Sequence, residues 1–413
     1  MPPQSALKPA SQTRSGRRPP GSPGDDRPLN VAIVCYPTYG GSGFVATELG
    51  RLLAEAGHTV HMISYARPVR LAREFQGDIH YYEVPNVDYH VLNGSLYTVS
   101  LAVKIAEVAR RHPIDVIHVH YAVPHAISAF IARSILGESS PPIITTLHGT
   151  DIILVGRNPA LCSAVKLAIE SSDTVTAVSR WLERETRRIF KTDKRIEVIH
   201  NFLDVPRFTA EGAAAEQTDG CCPRRHFAPR GEKILLHISN FRPVKRVADV
   251  VRVFDFVRRQ TPSVLLMVGD GPERMQAEGL ASQLRVEKFV HFLGNQLDIA
   301  RFLRVADLML FPSEFESFGM AALEAMAFGV PVVGARSGGL PEVVINGRHG
   351  YLTPPGDTRA MAEKAIKILR DPELHATMSR LCRQRVRRVF SARSKFPRYV
   401  ELYREALARR RAG

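Results

Sequence analysis

The sequence alternates short apolar runs with helix-patterned stretches, loses that rhythm once, and then resumes it. Runs suited to strands fall at Asn30–Tyr36, Thr59–Ser64, Ile79–Val84, Val116–His120, Ile143–Leu147, Thr174–Val178 and Ile196–Ile199. Helical patterns such as Gly43–Ala56 and Leu96–Arg111 lie between them. Short apolar strands separated by helices pair in parallel and build sheets from βαβ units. Residues 209–232 (TAEGAAAEQTDGCCPRRHFAPRGE) carry no period and read as a linker or surface excursion. KILLHISN, SVLLMVGDG, FVHFLG, DLMLFPS, VPVVGA and GYLTPPGD then restart the alternation. A chain of 413 residues is too long for one ordinary core and comfortable for two. The expected class is α/β, with two doubly wound Rossmann-like domains facing a cleft bounded by the carboxyl ends of both sheets.

Residues 1–28, rich in Pro, Ser, Gly and Arg, read as a disordered leader with no signal-peptide core. The first domain is expected over 29–205 and the second over 206–384, with a helix at 385–413 packing back on the first. No apolar run approaches the roughly 18 residues of a membrane span. The five cysteines show no CxxC or Cys/His metal spacing, which fits a reduced, cytoplasmic setting. Net charge is +15, and residues 380–413 hold twelve Lys/Arg against two Glu. A surface for anionic lipid or nucleic acid is one reading of that segment. No nucleic-acid signature accompanies it, so a solvated amphipathic helix is preferred and a nucleic-acid partner is not expected.

Several strand ends carry chemistry. CYPTYGGSGFVATELG (35–50) follows the first strand, and Gly40, Gly41 and Gly43 permit the tight turn that holds phosphate at a helix N-terminus. It lacks GxGxxG and the acidic residue of a dinucleotide site. HISNFRPVKR (237–246) occupies the equivalent turn of the second half, where Arg242 and Lys245 can neutralise a diphosphate. TTLHGTD (145–151) brings His148 and Asp151 to a strand end, and HVHYAVPH (118–125) adds His120, Tyr121 and His125. Without HExxH or a completing carboxylate these histidines read as hydrogen-bonded core or rim groups rather than metal ligands. VGDGPE (268–273), with Gly271, offers backbone groups to a base and ribose or is a bare turn. FPSEFESFGMAALEAMAFGVPVV (311–333) places Glu316 and Glu324 among apolar residues, flanking a helix expected to start near an N-cap at Ser317. Carboxylates accept from hydroxyls and helix N-termini hold phosphate, which together describe a nucleotide-sugar.

These motifs together resemble the family 4 retaining glycosyltransferases of the GT-B fold, whose second domain carries two glutamates separated by seven residues, here Glu316-SFGMAAL-Glu324. The resemblance spans about residues 30 to 408 and departs at the ends and in 209–232. More narrowly, the motifs are similar to the bacillithiol-pathway members of that family. The resemblance implies transfer of GlcNAc from UDP-GlcNAc to the hydroxyl of L-malate with retention, with no cofactor and no required metal. It implies that Glu324 binds ribose hydroxyls and Glu316 sugar hydroxyls. Arg242, Lys245 and the amides of Ser317, Phe318 and Gly319 hold the diphosphate, Gly41 and Gly43 sit by the β-phosphate, and His148 faces the sugar. Ser42, Tyr121, Thr146 and Asn240 are the expected acceptor-side residues, as hydroxyl and amide donors for a dicarboxylate. Front-face displacement needs no nucleophile; Asp151 is the nearest candidate for one. The alternatives are a lipid acceptor at the membrane surface and a nucleotide-sugar binding protein without catalysis. Assembly into a homo-oligomer stays open.

Overall fold

The computed structural model describes residues 27–38, 41–68, 77–85, 96–210 and 223–412. Most of the proposed leader, Gly40 and residues 211–222 of the proposed linker lie outside these. Two parallel sheets form, each built from strands whose central members are buried on both faces. The first contains β1 (Asn30–Val34), β2 (Thr59–Ser64), β3 (Ile79–Glu83), β4 (Val116–His120), β5 (Ile143–Leu147), β6 (Thr174–Ala177) and β7 (Ile196–Val198), in the order β3-β2-β1-β4-β5-β6-β7. The second contains β8 (Lys233–Ile238), β9 (Ser263–Val268), β10 (Val290–Gly294), β11 (Leu308–Phe311), β12 (Val332–Ala335) and β13 (Gly350–Thr353), in the order β10-β9-β8-β11-β12-β13. This is the two-domain α/β architecture of the GT-B fold.

Strand order reverses direction between β1 and β4 in the first sheet and between β8 and β11 in the second. At such a switch point the crossover helices leave on opposite faces, and the loops after the two strands part to open a crevice. The four loops so defined begin after residues 34, 120, 238 and 311, and they contain Gly41, Tyr121, Asn240, Arg242, Lys245 and the stretch from Glu316 to Gly319, while His148 and Gly271 lie on the loops after β5 and β9.

The chain crosses between domains twice, and the crossings lie side by side. Leu203 donates its N–H to the Phe390 carbonyl at 2.9 Å, and Ala392 donates to the Leu203 carbonyl at 2.8 Å. The helix Pro372–Val389 belongs to the second domain, and the helix Ala392–Ala412 packs on the first by burying Tyr399, Leu402, Tyr403 and Ala406. The return therefore falls near residue 391 rather than at 385. Residues 223–232 are also less of an excursion than their composition suggests. Pro223–Phe227 is helical, and Arg224 bonds the Val305 carbonyl and the Asp307 carboxylate, fastening this segment to the second sheet.

Beside the crossings, Glu342 of the second domain reaches into the first. Its carboxylate accepts from the amides of Arg180 and Trp181 at 3.0 and 2.8 Å, at the start of the helix Arg180–Phe190, and from His200 Nε2 at 2.9 Å. A carboxylate at a helix N-terminus meets unsatisfied N–H groups and the positive end of the helix dipole. Burial raises its carboxyl pKa, but His200 and the two amides outweigh that and hold it below the usual range.

Candidate active site

On the second-domain wall, β8 is followed by Ser239, Asn240 and Phe241, and Arg242 then opens the short turn Pro243–Lys245. Asn240 and Arg242 are exposed, whereas Phe241 is buried and anchors the turn. Lys245 Nζ lies 2.7 Å from Glu316 Oε2, in an ion pair whose side chains are 20% and 13% exposed. Two residues with separate expected roles are thus one unit. The ammonium keeps two further N–H donors for an incoming anion.

Glu316 sits on the loop after β11, and residues 337–339 brace that loop from behind. Gly339 donates its N–H to the Glu316 carbonyl and Ser337 Oγ donates to the Ser313 carbonyl, each at 2.7 Å. The following helix is Met320–Phe328, with Gly319 (φ 101°) as its N-cap. The expected cap at Ser317 is therefore corrected, because the left-handed turn at Gly319 delays the helix by two residues. The Ser317 carbonyl instead accepts a 2.6 Å bond from Ser179 Oγ of the first domain. Helix N–H groups of the first turn lack partners within the helix, so the amides of Met320 and Ala321 join that of Gly319 as anion donors. Phe318 is fully buried against His200 and Phe390, with ring centroids at 5.9 and 5.6 Å. Its side chain serves the interdomain core, and only its backbone is available to a ligand. Glu324 lies buried in the second turn of the same helix.

Gly271 has a packing explanation. A Cβ there would stand 2.2 Å from the Asn240 carbonyl oxygen, and its N–H already donates to Asp270 Oδ1 at 2.8 Å. It lets the loop after β9 press on the loop after β8, rather than offering its own amide to a base or ribose.

On the first-domain wall, Gly41 (φ 62°) precedes the helix Ser42–Glu55, and Gly43 lies against the Tyr36 carbonyl. Ser42 Oγ donates to the Tyr121 hydroxyl at 2.9 Å. Burial raises the Tyr121 pKa, while the hydrogen bonds with Ser42 and Thr150 and the positive charge of Arg242 act against it. Arg242 is thus close enough to Tyr121 for its charge to be felt across the cleft. The loop after β5 meets the opposite wall at Gly149, where a Cβ would fall 2.4 Å from that of Ser317. A side chain at this position would clash with Ser317, so glycine here permits the close approach of the His148 loop to the donor loop.

Behind this wall lies a buried chain of neutral side chains. His118 Nδ1 pairs with the Tyr403 hydroxyl and its Nε2 with Thr146 Oγ1, both at 2.7 Å, and Thr146 Oγ1 also pairs with Thr176 Oγ1 at 2.7 Å. His118 stacks on His120 (4.6 Å), which stacks on His148 (5.1 Å) and places its Nδ1 2.8 Å from His148 Nε2. His125 Nδ1 pairs with the His120 carbonyl. Burial pushes His118 and His148 down to about 3 and His125 to about 4, so the network is uncharged at neutral pH. Among the described residues no group of three or more His, Cys, Asp or Glu is arranged to hold a metal ion.

Two expectations change here. Thr146 has no exposed surface and its hydroxyl is shared between His118 and Thr176, which removes it from the acceptor's side of the wall. Asp151, 1% exposed, accepts from the amides of Ala122, Gly149 and His148 at 3.0, 2.8 and 3.3 Å. It clamps the loops after β4 and β5 together and has no open approach for attack on a sugar. Burial outweighs these bonds and lifts its carboxyl to about 6. Ser179 and Glu342, which join the walls, were not anticipated. Ser179 is recognisable as a helix cap in VSRWLE, but nothing local reveals that it also bonds the opposite domain.

A family model for Glycosyltransferase Family 4 matches residues 39–207, and one for Glycosyl transferases group 1 matches residues 223–385, one on each sheet. The chain is 44% identical to the N-acetyl-alpha-D-glucosaminyl L-malate synthase of Bacillus anthracis, over 92% of this chain and 97% of that protein. The chain belongs to the family 4 glycosyltransferases. It is also 28% identical to the D-inositol 3-phosphate glycosyltransferase of Saccharomonospora viridis over 71% of this chain and 70% of that protein. The crystal structure of Anabaena HepE with UDP-glucose superposes with a TM-score of 0.73 at 20% identity, covering 91% of this chain and 100% of that one. A sucrose-phosphate synthase from Thermosynechococcus elongatus superposes with a TM-score of 0.74 at 22% identity, covering 92% and 99%. These structural likenesses establish the shared fold.

Proposed function

We propose that this glycosyltransferase moves GlcNAc from UDP-GlcNAc to the hydroxyl of L-malate with retention, the reaction that opens bacillithiol biosynthesis. The observation that carries the reading is the 44% identity, nearly end to end, with a protein named for that synthesis. The cleft chemistry suits it. Arg242, Lys245 and the amides at Gly319–Ala321 present positive charge to a diphosphate, and Glu316 and Glu324 are acceptors for sugar and ribose hydroxyls. Ser42, Tyr121 and Asn240, with Arg242 opposite Tyr121, would receive a small dicarboxylate.

In the transfer, the malate hydroxyl oxygen bonds to the anomeric carbon as the bond to the UDP oxygen breaks. The hydroxyl proton passes to the departing phosphate oxygen on the same face, so configuration is retained. Asp151 is not needed as a nucleophile. Catalysis then rests on positioning and on charge held ready for the leaving diphosphate. Because protein cations supply that charge, turnover should survive EDTA; strict dependence on added Mg²⁺ or Mn²⁺ would refute the metal-free form of the proposal.

The deciding experiment incubates the purified chain and UDP-GlcNAc with a panel of hydroxy acids and lipid acceptors and identifies the product. GlcNAc-malate as the α-anomer supports the reading. A glycolipid product with malate left untouched would favour a membrane-surface acceptor, and UDP-GlcNAc binding without any transfer would favour a binding protein. Among the described residues no helix is long and apolar enough to cross a membrane, and the apolar side of the C-terminal helix is occupied by the first domain.

A further inference from the structure

His120, at the end of β4, is fully buried, and its Nε2 has no hydrogen-bond partner among the described residues. Its Nδ1 is 2.8 Å from His148 Nε2, so a single proton lies between the two rings. The orphaned nitrogen decides which ring owns it. If His148 donated, the His120 proton would have to sit on Nε2, as a buried N–H with no acceptor. If His120 donates from Nδ1, its Nε2 is a bare lone pair. Orphaned buried N–H groups are rarer than under-used acceptors, because the donor loses its water and gains nothing. Charging both rings is opposed by burial, which holds each well below the usual histidine range. His120 therefore donates, His148 Nε2 accepts, and the His148 proton resides on Nδ1, the nitrogen not engaged by His120.

We propose that His120 is a positioning residue: it fixes His148 in the Nδ1–H tautomer, so that the cleft presents a hydrogen-bond donor to an oxygen of the transferred sugar. The ring of His120 is itself held in place. It stacks on His118, which Tyr403 of the C-terminal helix and Thr146 pin from two sides, and its carbonyl receives His125 Nδ1. Tyr403 thus gives the returning helix a part in the site without touching substrate. A donor at this point suits a sugar hydroxyl or ring oxygen, which can accept without surrendering its own bond to Glu316. The catalytic half of this proposal rests on the reading that His148 faces the sugar; the tautomer half does not.

The test uses the full chain with ¹⁵N-labelled histidine at pH 7.5, where long-range imidazole couplings distinguish the two tautomers. His148 in the parent protein should carry its proton on Nδ1. His120→Phe keeps a flat stacking ring and removes the N–H, so His148 should shift toward Nε2–H. With UDP-GlcNAc and malate, kcat should fall roughly tenfold, the scale of one neutral hydrogen bond, while UDP affinity changes less than about twofold. His120→Asn places an amide N–H close to the Nδ1 position and should restore both the tautomer and most of the turnover. A parent His148 protonated on Nε2, or a tautomer indifferent to His120→Phe, overturns the proposal. So does a loss of turnover matched by lost UDP affinity and not rescued by Asn. A parent protein that makes no glycoside would refute the functional reading, while the NMR result still decides the tautomer.

Discussion

The two walls of the cleft solve opposite problems. The second-domain wall carries charge near the surface: Arg242 is exposed, and Lys245 and Glu316 form a partly exposed pair beside helix amides. Among the described residues, the loops after β4 and β5 on the first-domain wall carry almost none. Their histidines are buried and neutral, and the carboxylate there, Asp151, is spent on three backbone amides. A diphosphate that gains charge as its bond breaks needs fixed positive charge. A sugar and a small acceptor need fixed neutral donors at exact distances, which a packed network supplies better than long charged side chains do. The division of labour predicts that substitutions on the two walls fail in different ways.

The largest effect should come from Lys245→Ala. If its charge is worth more against the leaving diphosphate than against bound donor, kcat should fall about 10²–10³-fold, as when one preorganised electrostatic donor is lost. The Lys245–Glu316 pair sharpens this expectation. Removing the ammonium leaves the Glu316 carboxylate facing an anion, so the KM for UDP-GlcNAc should rise as well. Adding Glu316→Gln should recover much of the donor affinity and little of kcat. Steady-state kinetics of the single and double variants would check it; a double variant with full kcat would make Lys245 merely a partner for Glu316.

The next effect belongs to the other wall and concerns stability. His118, His125 and His148 are neutral in the folded state down to about pH 3–4, whereas unfolded histidines take up protons below about 6.5. Below that pH the unfolded chain binds more protons than the folded one, so stability falls with pH. Each histidine contributes a slope of at most about 1.4 kcal/mol per pH unit. Urea unfolding should therefore show clearly lower stability at pH 5.5 than at pH 7.5. Equal stabilities would contradict the buried, neutral network.

What the sequence reveals also divides along these walls. The strands of the first sheet were legible to within a residue or two, because doubly buried parallel strands are continuous apolar runs flanked by turns. Arg242, Lys245, Glu316 and Glu324 were legible because polar groups at strand ends or among apolar residues need a reason to be there. Their pairing was not, since Lys245 and Glu316 are 71 positions apart. The histidine network was legible only as a cluster of letters. Whether His118 meets Tyr403, 285 residues away, depends on a helix that leaves the second domain and returns to the first. Thr146 misled for the same reason: strand alternation puts it on one face of β5, and only the neighbouring strands show that this face is interior.

Asp151→Asn separates clamp from nucleophile. Asn keeps one carbonyl oxygen for the Gly149 and His148 amides but turns an N–H toward the Ala122 amide, so the loops after β4 and β5 should loosen. Turnover should drop about tenfold through misplacement of His148, with no glycosyl-enzyme ever trapped. Loss of all activity beyond about 10⁴-fold, or a sugar adduct on Asp151 seen by mass spectrometry, would restore the nucleophile and undo the contrast between the walls.

The smallest effect on catalysis, and the finest test of where the acceptor wall ends, is Thr146→Val. The substitution keeps the branched shape and removes a hydroxyl that His118 and Thr176 share. Both partners are buried, so each loses a hydrogen bond it cannot replace with water, and stability should fall by about 1–2 kcal/mol. If Thr146 stands behind the wall, malate never meets its hydroxyl. The KM for malate should then change less than about twofold, because no contact worth even a weak hydrogen bond is removed. Any fall in kcat should come through His118 and His120 and should be reproduced by Tyr403→Phe, which unpins His118 from its other side. A malate KM raised tenfold or more in Thr146→Val, with Tyr403→Phe unaffected, would mean that the wall opens to admit the acceptor to β5. The buried network would then be part of the binding surface rather than its support.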